Sequence, residues 1–322
     1  NGTIHTIGPT RFNTPVVLIY TPDQGTDDRV RAALRRAGYP AEIINTVIVP
    51  SSMLNLGLGE DADTIRLPTR NGMWDVQADG DAYVATPPLT VFRVTPHVPT
   101  NPTDLHPFTA PPLRVRGTGK TEMDLMNKLD QLRHGILSAQ SGLYATEYVA
   151  SPNWYEGFDY LQQGRDPWSD TRDGLLLTAG YLPEFGSNDE INLDDDEFLM
   201  VYGANHVATG KATYSSISAY SSLKGKLSIG SVYHDRFPDT ATPYLPAGDP
   251  AANLMYAYKI SRNCGSDTHC MQLSLDNCPK LTIGLDTVLG FIFRNYLEPS
   301  TNVGPAMPEL LYDRVIKFSP RP

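Results

Sequence analysis

The chain has 322 residues, enough for two domains or one large one, and 40% hydrophobic with 19% charged residues is an ordinary globular composition. No apolar run approaches the roughly 18 residues of a membrane span, so we expect no integral membrane protein. A net charge of −10 argues against nucleic acid as a partner, because such binding depends on a basic surface.

The first predicted unit is a β-α-β motif near the start of the chain. Residues 16–20 form a short apolar run typical of a buried strand, and residues 42–49 form another. Between them apolar residues recur at helical spacing from Thr26, the expected N-cap, to Ala37, and Gly38 closes the helix. We expect the two strands to be parallel and the connection right-handed.

The next part of the chain is rich in loops. One strand is predicted over 89–95, and the prolines between 96 and 112 indicate an extended connection. A second helix is predicted over 121–139, with Thr121 and Asp124 as a variant of the capping box. Apolar residues recur along one side of this helix at Met123, Met126, Leu129, Leu132 and Ile136.

The second half of the chain favours strands, punctuated by Gly and Pro. Strands are predicted over 174–177, 198–202, 212–220, 226–233, 254–260, 290–296 and 314–318. The resulting fold class is α+β, with the N-terminal β-α-β unit followed by a mainly antiparallel, sandwich-like part. We predict an α/β-flavoured domain over 1–112, including the Pro-rich connection, and a helix plus β-rich domain over 113–322.

The three cysteines lie close together, at Cys264, Cys270 and Cys278. Such clustering favours a disulfide between Cys264 and one of the other two, and with it a secreted or periplasmic protein. The alternatives are unpaired thiols or a metal site that uses His269, although the cysteine spacing does not match a zinc knuckle.

A Gly-rich segment, Arg-Gly-Thr-Gly-Lys-Thr at 116–121, stands before the second predicted helix. It lacks the first glycine of a phosphate-binding loop, because Arg114 occupies that position. Two interpretations remain. The turn binds an anion with help from Arg116 and Lys120, or it is a tight strand-to-helix turn with two solvated basic residues.

The leading candidates for catalysis follow the strand predicted over 198–202. Asn205 and His206 lie in a turn bracketed by glycines, and Lys211 enters the next strand. A partly accessible imidazole could act as a general base or metal ligand, oriented by Asn205, while Lys211 stabilises developing negative charge. The alternative is a histidine hydrogen-bonded within its loop.

An acidic and aromatic segment precedes the strand at 174. Asp170 and Asp173 are candidate catalytic carboxylates, since paired carboxylates perform acid–base work. Aromatic rings beside carboxylates also hold sugar and aryl ligands. The candidate substrate-binding residues are Trp154, Tyr155, Trp168 and Arg172. The alternative is a surface loop with aromatic anchors in the core.

The run at 187–197 is dense in oxygen ligands, and Asp194, Asp195 and Asp196 are weak candidates for Ca²⁺. Acidic runs also form solvated surfaces, and this spacing does not match an EF-hand.

These observations favour a secreted hydrolase that acts on a polar or sugar-like substrate. The ligand would be a small molecule or a glycan, and Ca²⁺ is the cofactor that the acidic run allows. The alternative is an extracellular binding or structural protein without catalytic activity, favoured by the lack of a complete catalytic signature.

Overall fold

The computed structural model describes residues 16–49, 60–62, 76–95, 97, 106–108, 115–152, 173–183, 186–221, 228–273 and 287–321. Residue contacts divide the chain into two compact units, Asn1–Pro112 and Leu113–Pro322. The helices are α1 (Gln24–Arg36), α2 (Gln77–Ala85) and α3 (Met126–Ala139). The strands are β1 (Val17–Thr21), β2 (Ile44–Ile48), β3 (Tyr144–Val149), β4 (Gly174–Leu182), β5 (Ser187–Asn188), β6 (Phe198–Ala204), β7 (Tyr214–Ser221), β8 (Ser228–Tyr233), β9 (Met255–Ser261), β10 (Cys270–Gln272), β11 (Leu289–Tyr296) and β12 (Arg314–Ser319).

The first unit contains the β-α-β motif predicted from the sequence. β1 and β2 pair in parallel, and Val30 and Leu34 of α1 pack, partly buried, against an apolar cluster that includes the buried Ile19. The helix begins earlier than predicted. Asp23, not Thr26, is the N-cap, because its carboxylate accepts both the backbone N–H and the hydroxyl of Thr26, each at 2.7 Å.

The strand predicted over 89–95 is wrong. These residues belong to no helix or strand, and the side chains of Val91 and Phe92 are 87% and 80% exposed. Alternation of apolar residues favours an extended backbone. A strand also needs a hydrogen-bonded neighbour, which the local sequence cannot supply.

The second unit confirms the α+β class, with two five-stranded sheets. The first sheet has the order β10-β9-β6-β12-β3 and the second β5-β4-β11-β7-β8, and every pairing is antiparallel except β9 with β10. Each strand predicted for this half is present, whereas β3 and the short strands β5 and β10 were missed. Alternate residues of both sheets share one buried cluster, which includes Val201 and Tyr256 from the first sheet and Ile217 and Phe293 from the second. The two sheets therefore pack face to face as a sandwich.

Helix α3 covers the other side of the first sheet. Leu129, Leu132 and Ile136 are buried in a cluster with residues of that sheet, as their spacing predicted. Met123 and Met126 are instead each 39% exposed. Met123 belongs to a 3₁₀ turn at Met123–Leu125, which changes the helical phase before α3 begins, and Met126 is the first residue of α3.

A disulfide joins Cys264, in the loop after β9, to Cys270, the first residue of β10. It is one of the two pairings expected from the sequence. Cys278, the third cysteine, lies outside the described residues.

Shortening a side chain between α3 and the first sheet tests this packing. Leu132 is fully buried, so Leu132→Ala should lower the free energy of unfolding by about 2–5 kcal/mol, through lost burial and the cavity left behind. Met126→Ala on the exposed side of the same helix is the control and should change stability by less than about 1 kcal/mol. Chemical denaturation of both variants measures the difference, and equal losses would contradict the assigned face.

Candidate functional site

The turn that carries Asn205, His206 and Lys211 crosses from one sheet of the sandwich to the other. It leaves β6 in the first sheet and enters β7 in the second. The Lys211 N–H donates to the His206 carbonyl at 2.8 Å, and the Asn205 side chain accepts the Ala208 N–H at 3.3 Å. Gly210 adopts a φ of +80°, which favours glycine. The turn expected from the sequence is therefore present, with Asn205 holding its backbone.

His206 is buried between two carboxylates. Only 2% of the residue is exposed, so the partial accessibility expected from the sequence is wrong. Its Nδ1 lies 2.9 Å from Glu122 Oε1, and its Nε2 lies 3.9 Å from Asp313 Oδ2. The Tyr256 hydroxyl donates to the other oxygen of Asp313. Both ring nitrogens therefore face acidic groups of the fold.

Glu122 connects this histidine to two further parts of the chain. Its carboxylate accepts the Thr209 hydroxyl at 2.5 Å and the Leu311 N–H at 3.0 Å, in addition to His206. Glu122 lies immediately before the turn that leads into α3, and Leu311 lies just before β12. One carboxylate thus fixes the turn between the sheets to the entry of α3 and the entry of β12.

The charges of this cluster reinforce one another. Burial lowers the pKa of His206, but the Glu122 carboxylate and Asp313 outweigh it and raise that pKa to about 10. Burial raises the pKa of Glu122, but the charge of His206 and the hydrogen bonds to the carboxylate bring it below its ordinary value. The raised pKa favours the protonated ring at neutral pH, and the protonated ring is not the form that acts as a general base.

Lys211 is fully buried and its ammonium group is surrounded by oxygen. Nζ donates to Glu298, to Glu309 Oε2 at 2.5 Å and to the Lys120 carbonyl at 2.9 Å. Burial lowers the pKa of Lys211, but the bonds to the two carboxylates raise it overall. Instead of meeting a substrate, as expected from the sequence, the charge of Lys211 balances two glutamates of the fold.

The Gly-rich segment at 116–121 does bind an anion, and that anion belongs to the same chain. The backbone N–H groups of Thr118 and Gly119 donate to Glu309 Oε1 at 3.0 and 2.6 Å. A Cβ on Gly117 would stand 2.9 Å from this oxygen, at a φ of +90°. The segment is therefore shaped around the Glu309 carboxylate, which leaves no place there for an external phosphate.

Of the other candidates from the sequence, the structure describes Asp173. Asp173 is exposed just before β4, and its carbonyl accepts the Leu297 N–H at 2.7 Å. The remaining candidates lie outside the described residues: Asp170, Trp154, Tyr155, Trp168 and Arg172.

The run at 194–196 gives no metal site in the part of the chain that the structure describes. Asp194, Asp195 and Asp196 are exposed in a turn, and no group of three or more acidic, His or Cys side chains there could hold a metal ion. The side chains of three consecutive residues in a turn point in different directions. Carboxylates that are adjacent in the sequence therefore do not converge on one point here.

Sequence reasoning missed the acidic half of the cluster. Glu122 is 84 residues from His206, and Glu298 and Glu309 are 87 and 98 residues from Lys211. No local pattern marks these acids, because each is paired only through the topology of the sandwich.

A second candidate site lies on the outward side of the second sheet, away from the shared core. The tyrosine face consists of five residues on β7, β8 and β11, and their strand pairings place them on one side: Tyr214, Tyr220, Tyr233, Arg294 and Tyr296. The Tyr214 ring lies 6.1 Å from that of Tyr233 and 6.0 Å from that of Tyr296, between centroids. Tyr233 is 48% exposed at the edge strand β8, and the other four side chains are partly buried.

Comparison with known proteins gives no further guide to either site. No family model matches the sequence, and neither curated proteins nor solved structures show a significant match. Within the described ranges, no helix is both long and apolar enough to cross a membrane.

Removal of the buried ammonium group tests the Lys211 cluster. Lys211→Ala leaves Glu298 and Glu309 facing each other without a counter-charge, so it should lower the free energy of unfolding by about 3–5 kcal/mol. Lys120→Ala removes an exposed lysine nearby and should cost less than about 1 kcal/mol. Urea denaturation compares the two, and a small loss for Lys211→Ala would show that the charge is dispensable.

The protonation of His206 should make stability depend on pH. Its pKa is raised from 6.5 to about 10 in the folded chain, so folding favours the charged ring. The resulting stability is fully present below about pH 6.5 and is lost as pH rises through about 10. We expect the free energy of unfolding, from denaturation at fixed ionic strength, to fall between about pH 7 and about pH 9.

His206→Gln is the control for this pH dependence. It removes the titrating ring, so the fall in stability across that pH range should become shallower, although the variant is less stable at pH 7. The same slope in both proteins would assign the dependence to another group.

Proposed function

We propose that this protein is an extracellular carbohydrate-binding protein of the β-sandwich type without catalytic activity, and that the tyrosine face binds the saccharide. The observation that carries the proposal is the exposed ring of Tyr233 beside Tyr214 and Tyr296, held on paired strands. Rigid strands keep the rings in place without ligand, which reduces the entropy cost of binding.

The chemistry of a sugar ring suits this surface. A pyranose has an apolar C–H face and a rim of hydroxyl groups, and a tyrosine offers a flat apolar ring with a polar hydroxyl at its end. The hydroxyls of Ser228 and Ser231 are exposed on the same side of β8 and add hydrogen-bonding groups. Tyr214 and Tyr220 are separated by six residues of β7, a span of about 20 Å, which is enough for an oligosaccharide.

Two further observations support this reading over the hydrolase. The described catalytic candidates His206 and Lys211 are buried and neutralised by acids of the fold, so they favour a structural role. The disulfide between Cys264 and Cys270 supports an oxidising, extracellular location.

The test is binding to a panel of immobilised glycans, followed by calorimetry with the soluble oligosaccharides that bind. Tyr233→Ala should lower affinity about tenfold, the equivalent of one lost ring contact. Tyr144→Ala is the matched control, because Tyr144 is 62% exposed but lies on β3 in the other sheet. Its affinity should be unchanged, and the melting temperatures of both variants should match the parent protein.

Two results would contradict the proposal. One is no binding to any glycan of the panel, and the other is an equal loss of affinity in both tyrosine variants. Hydrolysis of a bound oligosaccharide would instead favour the hydrolase predicted from the sequence.

A further inference from the structure

Arg294 lies within the tyrosine face, and the partners that the structure describes for it are neutral. Its guanidinium donates to the Ser218 hydroxyl at 3.0 Å and to the Tyr220 hydroxyl at 2.5 Å, and lies 5.7 Å from the centre of the Tyr220 ring. The side chain is half-buried on the central strand β11. These contacts hold the guanidinium plane in place while leaving several of its five N–H groups unused.

No carboxylate among the described residues forms an ion pair with Arg294. Arg133, Lys211 and Lys317, in contrast, each contact a glutamate. Removing a cation from water costs free energy, and without a counter-charge part of this cost remains in a half-buried side chain. An anionic ligand would offset that cost. In a chain of net charge −10, this local positive charge cannot be attributed to a generally basic surface.

The strand register places this arginine beside the aromatic rings. Arg294 is opposite Ser216 on β7, and Ser216 is opposite Tyr233 on β8, so Arg294 and Tyr233 are two strands apart. That separation is about 10 Å between backbones, and the guanidinium extends along the sheet toward Tyr220, within the length of an oligosaccharide. Along β11, Arg294 is two residues from Tyr296 and on the same side.

We propose that the tyrosine face selects acidic oligosaccharides whose pyranose rings carry a carboxylate, and that Arg294 binds this carboxylate. The inference rests on the proposed carbohydrate binding. A planar guanidinium with parallel N–H groups matches the two oxygens of a carboxylate in a bidentate pair, whereas a lysine would act as a point charge. Arg294 is thus the residue that distinguishes a uronic acid from the neutral sugar of the same shape.

The test uses calorimetry with matched pairs of soluble oligosaccharides. Each pair is a uronate oligomer and its methyl ester, from galacturonate, glucuronate, mannuronate and guluronate, so that only the charge differs within a pair. We expect at least one uronate to bind about tenfold more tightly than its ester, the worth of a charge-assisted hydrogen bond. A sulfated oligosaccharide of similar length is included to separate carboxylate recognition from a general preference for anions.

Arg294→Gln should abolish the difference between uronate and ester while keeping the binding of the ester. The ester is therefore an internal control for the fold of the variant. Tyr233→Ala should weaken both ligands equally and preserve their ratio. Arg294→Lys should retain only part of the preference for the uronate, because lysine carries the positive charge but lacks the planar guanidinium that forms a bidentate pair.

The outcomes separate this inference from the proposed function. Equal binding of acid and ester, a preference that survives in Arg294→Gln, or tighter binding of the sulfated oligomer would overturn the role of Arg294 while leaving carbohydrate binding intact. Failure of every oligosaccharide, acidic and neutral, would overturn both.

Discussion

The burial of charge at the turn between the two sheets is the constraint on which this sandwich depends. Two cations, His206 and Lys211, lie within six residues of chain and are almost fully removed from water. A charge in that position is tolerated only with a partner of opposite sign, so Glu122 and the glutamates around Lys211 must be brought to the turn. The entry of α3 and the approach to β12 are held together as a result.

This arrangement changes what the polar residues can contribute to function. His206 lies between two carboxylates, and the ammonium group of Lys211 is bonded to two glutamates. The residues that looked most reactive in the sequence thus act on the fold. Side chains near the solvent are the ones that can contact a ligand, and the tyrosine face contains several of them.

Lys211 and Arg294 carry the same positive charge but have different kinds of hydrogen-bond partner. Both stand in the second unit of an acidic protein, yet Lys211 is satisfied by two carboxylates and Arg294 by two hydroxyl groups. The first arrangement is complete within the chain, which is typical of a structural ion pair. The second contains no carboxylate among the described residues, and this difference is the reason why we propose Arg294 as a ligand-binding residue.

The sequence by itself determined those features that local periodicity and turn chemistry encode. The β-α-β motif, the strands β4, β6, β7, β9, β11 and β12, and the turn at 205–210 all follow from spacing within about ten residues. It did not place the partners of His206 and Lys211, which lie more than 80 residues away. The strand that the sequence predicted over 89–95 does not form, because a strand requires a neighbouring strand to pair with. Only the tertiary structure decided which charges met and which rings stayed exposed, since burial and pairing are properties of segments distant in the chain.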